Sequence, residues 1–591
     1  MNYKEKLSRI RESMKQDGVS AYIIPSSDPH ISEYVPSRYK CVKFASGFTG
    51  SAGTLVITAD FAGLWTDGRY FVQANEQLEE SGFELVKLEV QQAPEYITWL
   101  YKRLDEGAVV AADSQLLSVM LGTMLTEKLS GKNISFVSRD YLDAIWENRP
   151  ALPVDNAFLL DTEVTGAAVT DKLAVIREKM KDAGAACHLV SSLDDNAWIF
   201  NMRGQDVSYN PVVLCFSLIT PDTATLFINP GKLTDADKQS LLASGVTVSP
   251  YEDVAQVIGG LPADKSIWID PARTCFGLFR QIPQGMKVIR ETNPSTFLKA
   301  VKNTTEIEHT RKVMIRDGVA IVKFLKWVEE TVGKETVTEL SAAARLKDFR
   351  QEQEGYIGNS FNTISAYAAH GALPHYGPTE ESNVEVLKKG LFLVDSGGQY
   401  AYGTTDITRV IPMGDNTDQE CVDYTLVLKG MIGGVKARFP KGTRGYQIDA
   451  ITRQPIWEHG INYGHGTGHG VGFFLNVHEG PHVFNASNNQ VAVEPGMITS
   501  IEPGIYRAGS HGIRIENLVL TVADEQNDFD TFYRFESLTL APIDTSIVRK
   551  ELLHESHIAW LNAYHATVYE KLSPLLSVEE AAWLKHKTSA I

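Results

Sequence analysis

Five residues between positions 395 and 516 carry side chains that bind divalent cations, and two hairpins could bring them together. Asp395 sits in GLFLVDSGGQY and Asp406 in AYGTTDITRV, eleven residues later. Each lies in a strand-like run, and the intervening QYAYG is rich in turn formers. A turn centred on Tyr400 and Ala401 would set Asp395 directly opposite Asp406. Their Cβ atoms would then be roughly 4.5–5.5 Å apart, where two carboxylates repel unless a cation lies between them. His469 follows in HGTGHGVG. Glu502 in MITSIEPGIY and Glu516 in GIRIENLVL repeat the first arrangement across a turn around Gly509. An acidic residue at a strand end, taken singly, is ordinarily a turn or capping residue. Two facing acidic pairs are another matter, because like charges directly opposite destabilise a sheet. Four carboxylates with one imidazole suit divalent ions of intermediate hardness and could bridge two of them, as in a two-metal hydrolytic site.

Other polar side chains flank this set. His375 lies in LPHYGP, His465 opens HGTGH and His478 lies in NVHEGP, while Tyr506 and Arg514 stand close in sequence to Glu502 and Glu516. A lone histidine is more often a hydrogen-bonded polar residue than a catalyst, and the glycines around His465 also fit a tight backbone path. Packing and countercharge would account equally for Tyr506 and Arg514. If a hydroxide attacks a peptide carbonyl here, Glu502 is the candidate to carry its proton to the leaving nitrogen.

The stretches VDSGGQYAYGTTDITR, HGTGHGVGFFLNVHEGP, SIEPGIY and GIRIEN, preceded by HGALPHYGP, resemble in order and spacing the pita-bread metallopeptidases. Among these the chain is most similar to the long, three-domain Xaa-Pro aminopeptidases. SDPHISEY, WTDGRYF, FESLTLAPI and WLNAYH extend the likeness over nearly the whole chain. The resemblance implies that Asp395, Asp406, His469, Glu502 and Glu516 are ligands of two divalent ions, Mn2+ first, with Zn2+ or Co2+ as alternatives. It implies peptide substrates with proline second and a homodimer joined through the carboxyl domain. It sets His375 and His478 beside the substrate carbonyl, where an imidazole can donate to a developing oxyanion. His465 would line the substrate or stand behind the ligands, with Tyr506 and Arg514 as helpers. Arg69, the Arg of LWTDGRYF, would touch bound peptide. A prolidase is the nearest alternative, disfavoured because prolidases have one amino-terminal domain and this half is duplicated. A non-catalytic pita-bread binding protein or a metal-free creatinase-like hydrolase would not keep all five ligands. A serine hydrolase fails because TGSAG around Ser51 lacks GxSxG spacing.

The elements that must position these residues can be read from the rest of the chain. With 591 residues, 43% of them apolar, it can bury several cores. A net charge of −17 disfavours nucleic acid and anionic membranes as partners. Cys41, Cys187, Cys215, Cys275 and Cys421 are odd in number, widely spaced and without a CxxC pair, which fits buried thiols in a reducing compartment. No run approaches the ~20 apolar residues of a membrane span, and the charged amino terminus has no apolar signal core. The expected location is cytoplasmic.

KEKLSRIRESMKQDGVSAYIIPSSD from Lys4 and TDKLAVIREKMKDAGAACHLVSSLD from Thr170 match at a constant offset of 166, which marks a duplication. Each reads as an amphipathic helix stopped at Gly18 or Gly184 and followed by an apolar strand. The second copy lacks the Arg69 segment. Prolines in ENRPALPVDN and ETNPST mark the joins. The expected architecture is therefore α/β (α+β): two tandem creatinase-type domains over 1–152 and 153–298, then a pita-bread catalytic domain with a carboxyl-terminal extension over 299–591. Asn303 and Glu306 form a capping box for a long amphipathic helix. Near the end, Ile558, Trp560, Leu561, Tyr564 and Val568 share one face of a final helix, an apolar stripe suited to a second copy of the chain.

Overall fold

The duplication extends to the position of single side chains. Helix Tyr3–Gln16 buries Leu7, Ile10 and Met14, and helix Val169–Ala183 buries Leu173, Ile176 and Met180 at the same offset of 166. Spacings of three and four put each trio on one face, which the following sheet covers. Gly18 (φ +67°) and Gly184 (φ +68°) stop the two helices in the left-handed conformation that other residues adopt at a cost. In the first copy, Ala21–Pro25 lies between Thr54–Thr58, antiparallel, and Val109–Ala112, parallel. In the second, Cys187–Val190 lies between Cys215–Ile219, antiparallel, and Ser266–Ile269, parallel. Three more strands complete each six-stranded sheet in the same order.

The computed structural model describes residues 1–90 and 93–591. They form two compact units, Met1–Thr162 with Ala167–Ser295, and Glu163–Gly166 with Thr296–Ile591. All five cysteines are free and buried. Among the described residues, no helix is long and apolar enough to cross a membrane.

The second unit opens with helix Thr304–Thr331. Asn303 accepts the Glu306 N–H at 3.0 Å and Glu306 accepts the Asn303 N–H at 3.0 Å, so the capping box forms. Asp317 on this helix is buried and paired with Arg350 at 2.8 Å. Strand Gly390–Ser396, central in a three-stranded sheet with Ile364–Tyr367 and Ile407–Gly414, is covered on both faces. Its alternation explains how one apolar run serves two layers: Leu391 and Leu393 enter one core cluster, Phe392 and Val394 another. Truncating Leu393 to alanine would cost about 2–5 kcal/mol. A six-stranded sheet runs in the order Arg438–Pro440, Thr531–Ser537, Asn517–Gln526, Ile498–Ile501, Gly468–Gly470 and Glu479–Phe484, with Asn517–Gln526 continuing the short hairpin Gly504–Arg507/His511–Arg514.

The late helix forms as Glu555–Leu572. Leu561, Tyr564 and Val568 of its apolar stripe are buried in the same core cluster as Leu391 and Leu393, while Ile558 and Trp560 are partly exposed. The chain thus covers three of the five stripe residues itself. A further helix, Val578–Lys587, capped by Ser577, follows it.

Candidate metal centre

The second hairpin has the expected register. Ile501 pairs with Asn517 and Gly504 with Arg514, so Glu502 and Glu516 face each other where one strand pair passes into the next. The first hairpin does not. Asp395 pairs with Thr408 and Ser396 with Ile407, while Gln399 pairs with Thr404 and Tyr400 with Gly403. The turn is therefore centred on Ala401 and Tyr402, one residue later than expected, and Asp406 falls just before the strand that begins at Ile407. The strands close tightly at Gly397, where a Cβ would come within 2.0 Å of the Thr405 carbonyl oxygen. Only glycine allows that approach.

Despite the shifted register, the acidic side chains converge. Asp406, His469 and Glu516 each offer a ligand atom within 4.8 Å of the others. His469 Nε2 is 3.5 Å from Asp406 Oδ2 and 3.4 Å from Glu502 Oε1. Nδ1 of His469 lies 2.9 Å from the Gly470 carbonyl, which requires the proton there and turns the Nε2 lone pair toward the carboxylates. Asp395 receives Arg514 through Nε at 3.1 Å and Nη2 at 2.6 Å. Arg514 Nη1 donates to the Tyr506 hydroxyl at 2.7 Å, and Tyr506 meets His465 Nε2 at 2.7 Å. His478 packs edge-on against His469 with ring centroids 4.3 Å apart.

Burial and mutual repulsion govern the charge. Burial pushes the Asp395 carboxyl up, opposed by Arg514 and reinforced by Asp406. Glu502 is pushed up to about 7 by burial, with His469 opposing and Asp406 adding to the rise. Burial, then Asp406, Glu502 and Asp395 raise Glu516 well above the carboxylate range. For His469, burial disfavours the cation, but Asp406 and Glu502 outweigh it and lift the imidazole to about 9. Without a countercharge, this pocket holds protons that free carboxylates would shed. Asp395 Oδ1 and Glu516 Oε1 are buried with no hydrogen-bond partner. Two buried carboxylate oxygens without a hydrogen-bond partner, beside an imidazole whose Nε2 faces the acidic side chains, make an oxygen-rich donor set suited to divalent cations, so the residues fit a metal centre.

Neighbours that sequence reasoning passed over hold the set in place. Thr408 donates to Glu516 Oε2 at 2.9 Å. Ser500 donates to Glu502 Oε1 at 3.1 Å and accepts the His469 N–H at 2.9 Å. Each stands two residues from an acidic member, and strand alternation alone could have found it. Buried Asp423 on helix Asp418–Val435 accepts His511 Nε2 at 2.9 Å and both Arg507 donors, fixing the second hairpin from behind. Asp449 accepts Thr467 at 2.6 Å and pairs with Arg453, whose other donors hold the Tyr463 and His465 carbonyls.

His375 lies just beyond the turn Ala368–Ala372. Buried Glu339 accepts the Tyr367 N–H at 2.7 Å and the Tyr376 hydroxyl at 2.8 Å, flanking that turn. Gly371 abuts Gly512 so closely that a Cβ on Gly512 would come within 1.6 Å of the Gly371 oxygen. Arg69 belongs to the first unit, where its Nε and Nη2 each lie 2.8 Å from Asp67 oxygens.

Comparison with known proteins places this geometry. Residues 308–523 match the model of metallopeptidase family M24, and 531–591 match its C-terminal region. Residues 6–144 and 148–306 each match the creatinase/prolidase N-terminal domain. A probable Xaa-Pro aminopeptidase P of Laccaria bicolor is 39% identical over 100% of this chain and 94% of its own length. Xaa-Pro aminopeptidase 1 of Dictyostelium discoideum is 38% identical over 99% and 96%. The crystal structure of an X-prolyl aminopeptidase from Caenorhabditis elegans, described as a cytosolic enzyme with a di-nuclear active site, superposes with a TM-score of 0.96 at 35% identity, covering 100% of both chains.

Proposed function

Because this chain belongs to the M24 metallopeptidases, as a three-domain member of their Xaa-Pro aminopeptidase branch, we propose that it removes the first residue of peptides whose second residue is proline. One observation carries the reading beyond family likeness: Asp406, His469 and Glu516 offer ligand atoms within 4.8 Å of one another, His469 also meets Glu502, and two buried carboxylate oxygens of the set, Asp395 Oδ1 and Glu516 Oε1, have no hydrogen-bond partner. We propose Asp395, Asp406, His469, Glu502 and Glu516 as the ligands, and Mn2+ as the ion, since an oxygen-rich set with one nitrogen suits it.

Two divalent ions bound there supply Lewis acidity, polarising a carbonyl and lowering the pKa of a water. The chain's own residues do the rest. Glu502 takes the proton of the attacking water and delivers it to the proline nitrogen. The new C–O bond replaces the C–N bond, leaving a free amino acid and a peptide with an amino-terminal proline. His478, edge-on to His469, and His375 donate to the oxyanion as it develops. Arg514 favours the anionic form of Asp395, and Tyr506 and His465 extend that support toward substrate. Proline's nitrogen has no N–H, so recognition must rest on ring shape and not on the usual backbone donor. Arg69 is proposed to touch the peptide.

Homodimer formation is proposed chiefly from the family likeness, since Leu561, Tyr564 and Val568 of the late helix are buried within their own chain. Cytoplasmic residence is proposed from the five free, buried thiols. The deciding experiment is product identification by mass spectrometry with added Mn2+. Xaa-Pro-Yaa peptides of several lengths should release one residue, with little cleavage when alanine replaces proline. Cleavage confined to Xaa-Pro dipeptides would establish a prolidase instead.

A further inference from the structure

The loop Gly472–His478 takes an unusual route to the centre. Phe474 is almost wholly buried and holds φ +47°, a left-handed conformation that a bulky side chain rarely adopts. Such a residue persists only where its surroundings over-determine it. The Gly472 N–H donates to the Asn476 carbonyl at 3.0 Å, closing the turn on itself. Further grip comes from the hairpin that joins Asp395 to Asp406.

Gln399 and Thr404 face each other as a cross-strand pair at the tip of that hairpin, and both are buried. Gln399 Nε2 donates to the Leu475 carbonyl at 2.7 Å. Its other amide atom, Oε1, accepts the Thr404 hydroxyl at 2.8 Å, and Thr404 Oγ1 accepts the Leu475 N–H at 3.3 Å. One backbone unit thus has its donor and its acceptor both taken by the tip. The tip itself is anchored: Tyr400, next to Gln399 and fully buried, donates to Asp317 at 2.9 Å, and Asp317 is held by Arg350. Three residues after Leu475, His478 stands against His469.

We infer that Gln399 and Thr404 are positioning residues that set His478 against the centre by gripping the backbone of Leu475. The inference rests on the proposed role of His478 in the reaction. It makes the Asp395–Asp406 hairpin serve twice, carrying two carboxylates and fixing the reach of an imidazole delivered by a separate loop. A misplacement of about 1 Å in such a group costs on the order of 100-fold in rate.

The test uses Thr404→Val, which keeps the shape and removes the hydroxyl, and Gln399→Met, which keeps the length and removes the amide, in the full chain loaded with Mn2+. Each should lower kcat on a Xaa-Pro-Yaa peptide by about 10- to 100-fold, with KM within about threefold and two metal equivalents retained. Thr404→Ser should recover most of the rate. Hydrogen exchange of peptides spanning 471–478 should accelerate in the Val and Met variants and return toward the parent in the Ser variant. In a His478→Asn background, the same substitutions should cost less than about twofold more, because the group they position is gone. Equal losses with and without His478, losses that follow metal content, or unchanged kcat in both variants would overturn the inference. An unaffected His478→Asn enzyme would remove His478 from the reaction, and this inference with it.

Discussion

Arg514 contacts Asp395 through two nitrogens, at 3.1 and 2.6 Å, and spends a third donor on Tyr506 at 2.7 Å. Asp395 is the buried acid of the cluster to which this fixed cation is hydrogen-bonded, and its Oδ1 has no hydrogen-bond partner. The pair divides the carboxylate into an oxygen held by Arg514 and an oxygen without a hydrogen-bond partner.

Removing that cation should weaken metal binding in a pH-dependent way. Arg514→Met leaves Asp395 with burial and Asp406 both pushing its pKa up and only the weaker Thr408 hydrogen bond opposing them. The carboxyl must then lose a proton to bind. Calorimetric Mn2+ affinity should fall about 10- to 100-fold at pH 6.5 and recover as pH rises. Equal loss at pH 6.5 and 8.5 would contradict this account.

The metal-free protein should lose stability as pH rises. Glu502 is lifted from an ordinary 4.5 to about 7 in the fold, so its contribution is present below 4.5 and lost as pH rises through 7. His469, lifted from 6.5 to about 9, contributes fully below 6.5 and is lost as pH rises through 9. The gain in Tm on adding Mn2+ to chelator-treated protein should therefore be larger at pH 8 than at pH 5.5, measured by calorimetry.

Acid weakens the fold by a separate route. His188 and His482 are fully buried and depressed to about 4, with burial as the leading cause. A depressed histidine contributes stability above its unfolded value of 6.5, and this is lost as pH falls toward 4. Each could account for up to about 3 kcal/mol. For His188→Gln, the Tm deficit relative to the parent should shrink between pH 7.5 and 5.

Asp406→Asn should abolish turnover while leaving the metal-free fold mostly intact. Asp406 adds to the upward push on Asp395, Glu502 and Glu516, so neutralising it relieves like-charge repulsion, which offsets the lost attraction to His469. A Tm in chelator close to that of the parent, together with kcat reduced by at least about 1,000-fold, is the expected pair of results. A variant that turned over at the parental rate without metal would refute the two-metal reading.

Arg69→Ala should raise KM or lower kcat while leaving metal content unchanged. It also leaves Asp67, only 3% exposed, without its partner, a loss of several kcal/mol for a buried pair. Asp67→Asn combined with Arg69→Ala should regain stability without regaining activity. Full recovery of kcat/KM in that double variant would mean that Arg69 acts only on folding.

What sequence reasoning reached depends on whether local rules settled the geometry. Glu502 and Glu516 could be paired because one register runs unbroken from Ile498 through Arg514. The facing of Asp395 and Asp406 was misjudged because the tip turns at Ala401–Tyr402, a choice enforced by tertiary contacts of Gly397 and Tyr400. Helix 304–331 was readable from its cap and spacing, whereas the cover over Leu561 and Tyr564 was not, since periodicity reports an apolar face and never what lies against it. Thr408 and Ser500 needed only the period of two.

The five thiols offer a way to time the opening of each unit separately. Burial raises the pKa of every one of them, to about 12 at Cys41 and about 11 at Cys187, so folded protein presents neither access nor thiolate to an alkylating reagent. Four belong to the first unit, and Cys421 alone to the second. The order in which these sulfurs become modified under mild denaturant would therefore record which unit opens first, with no added probe and no engineered residue.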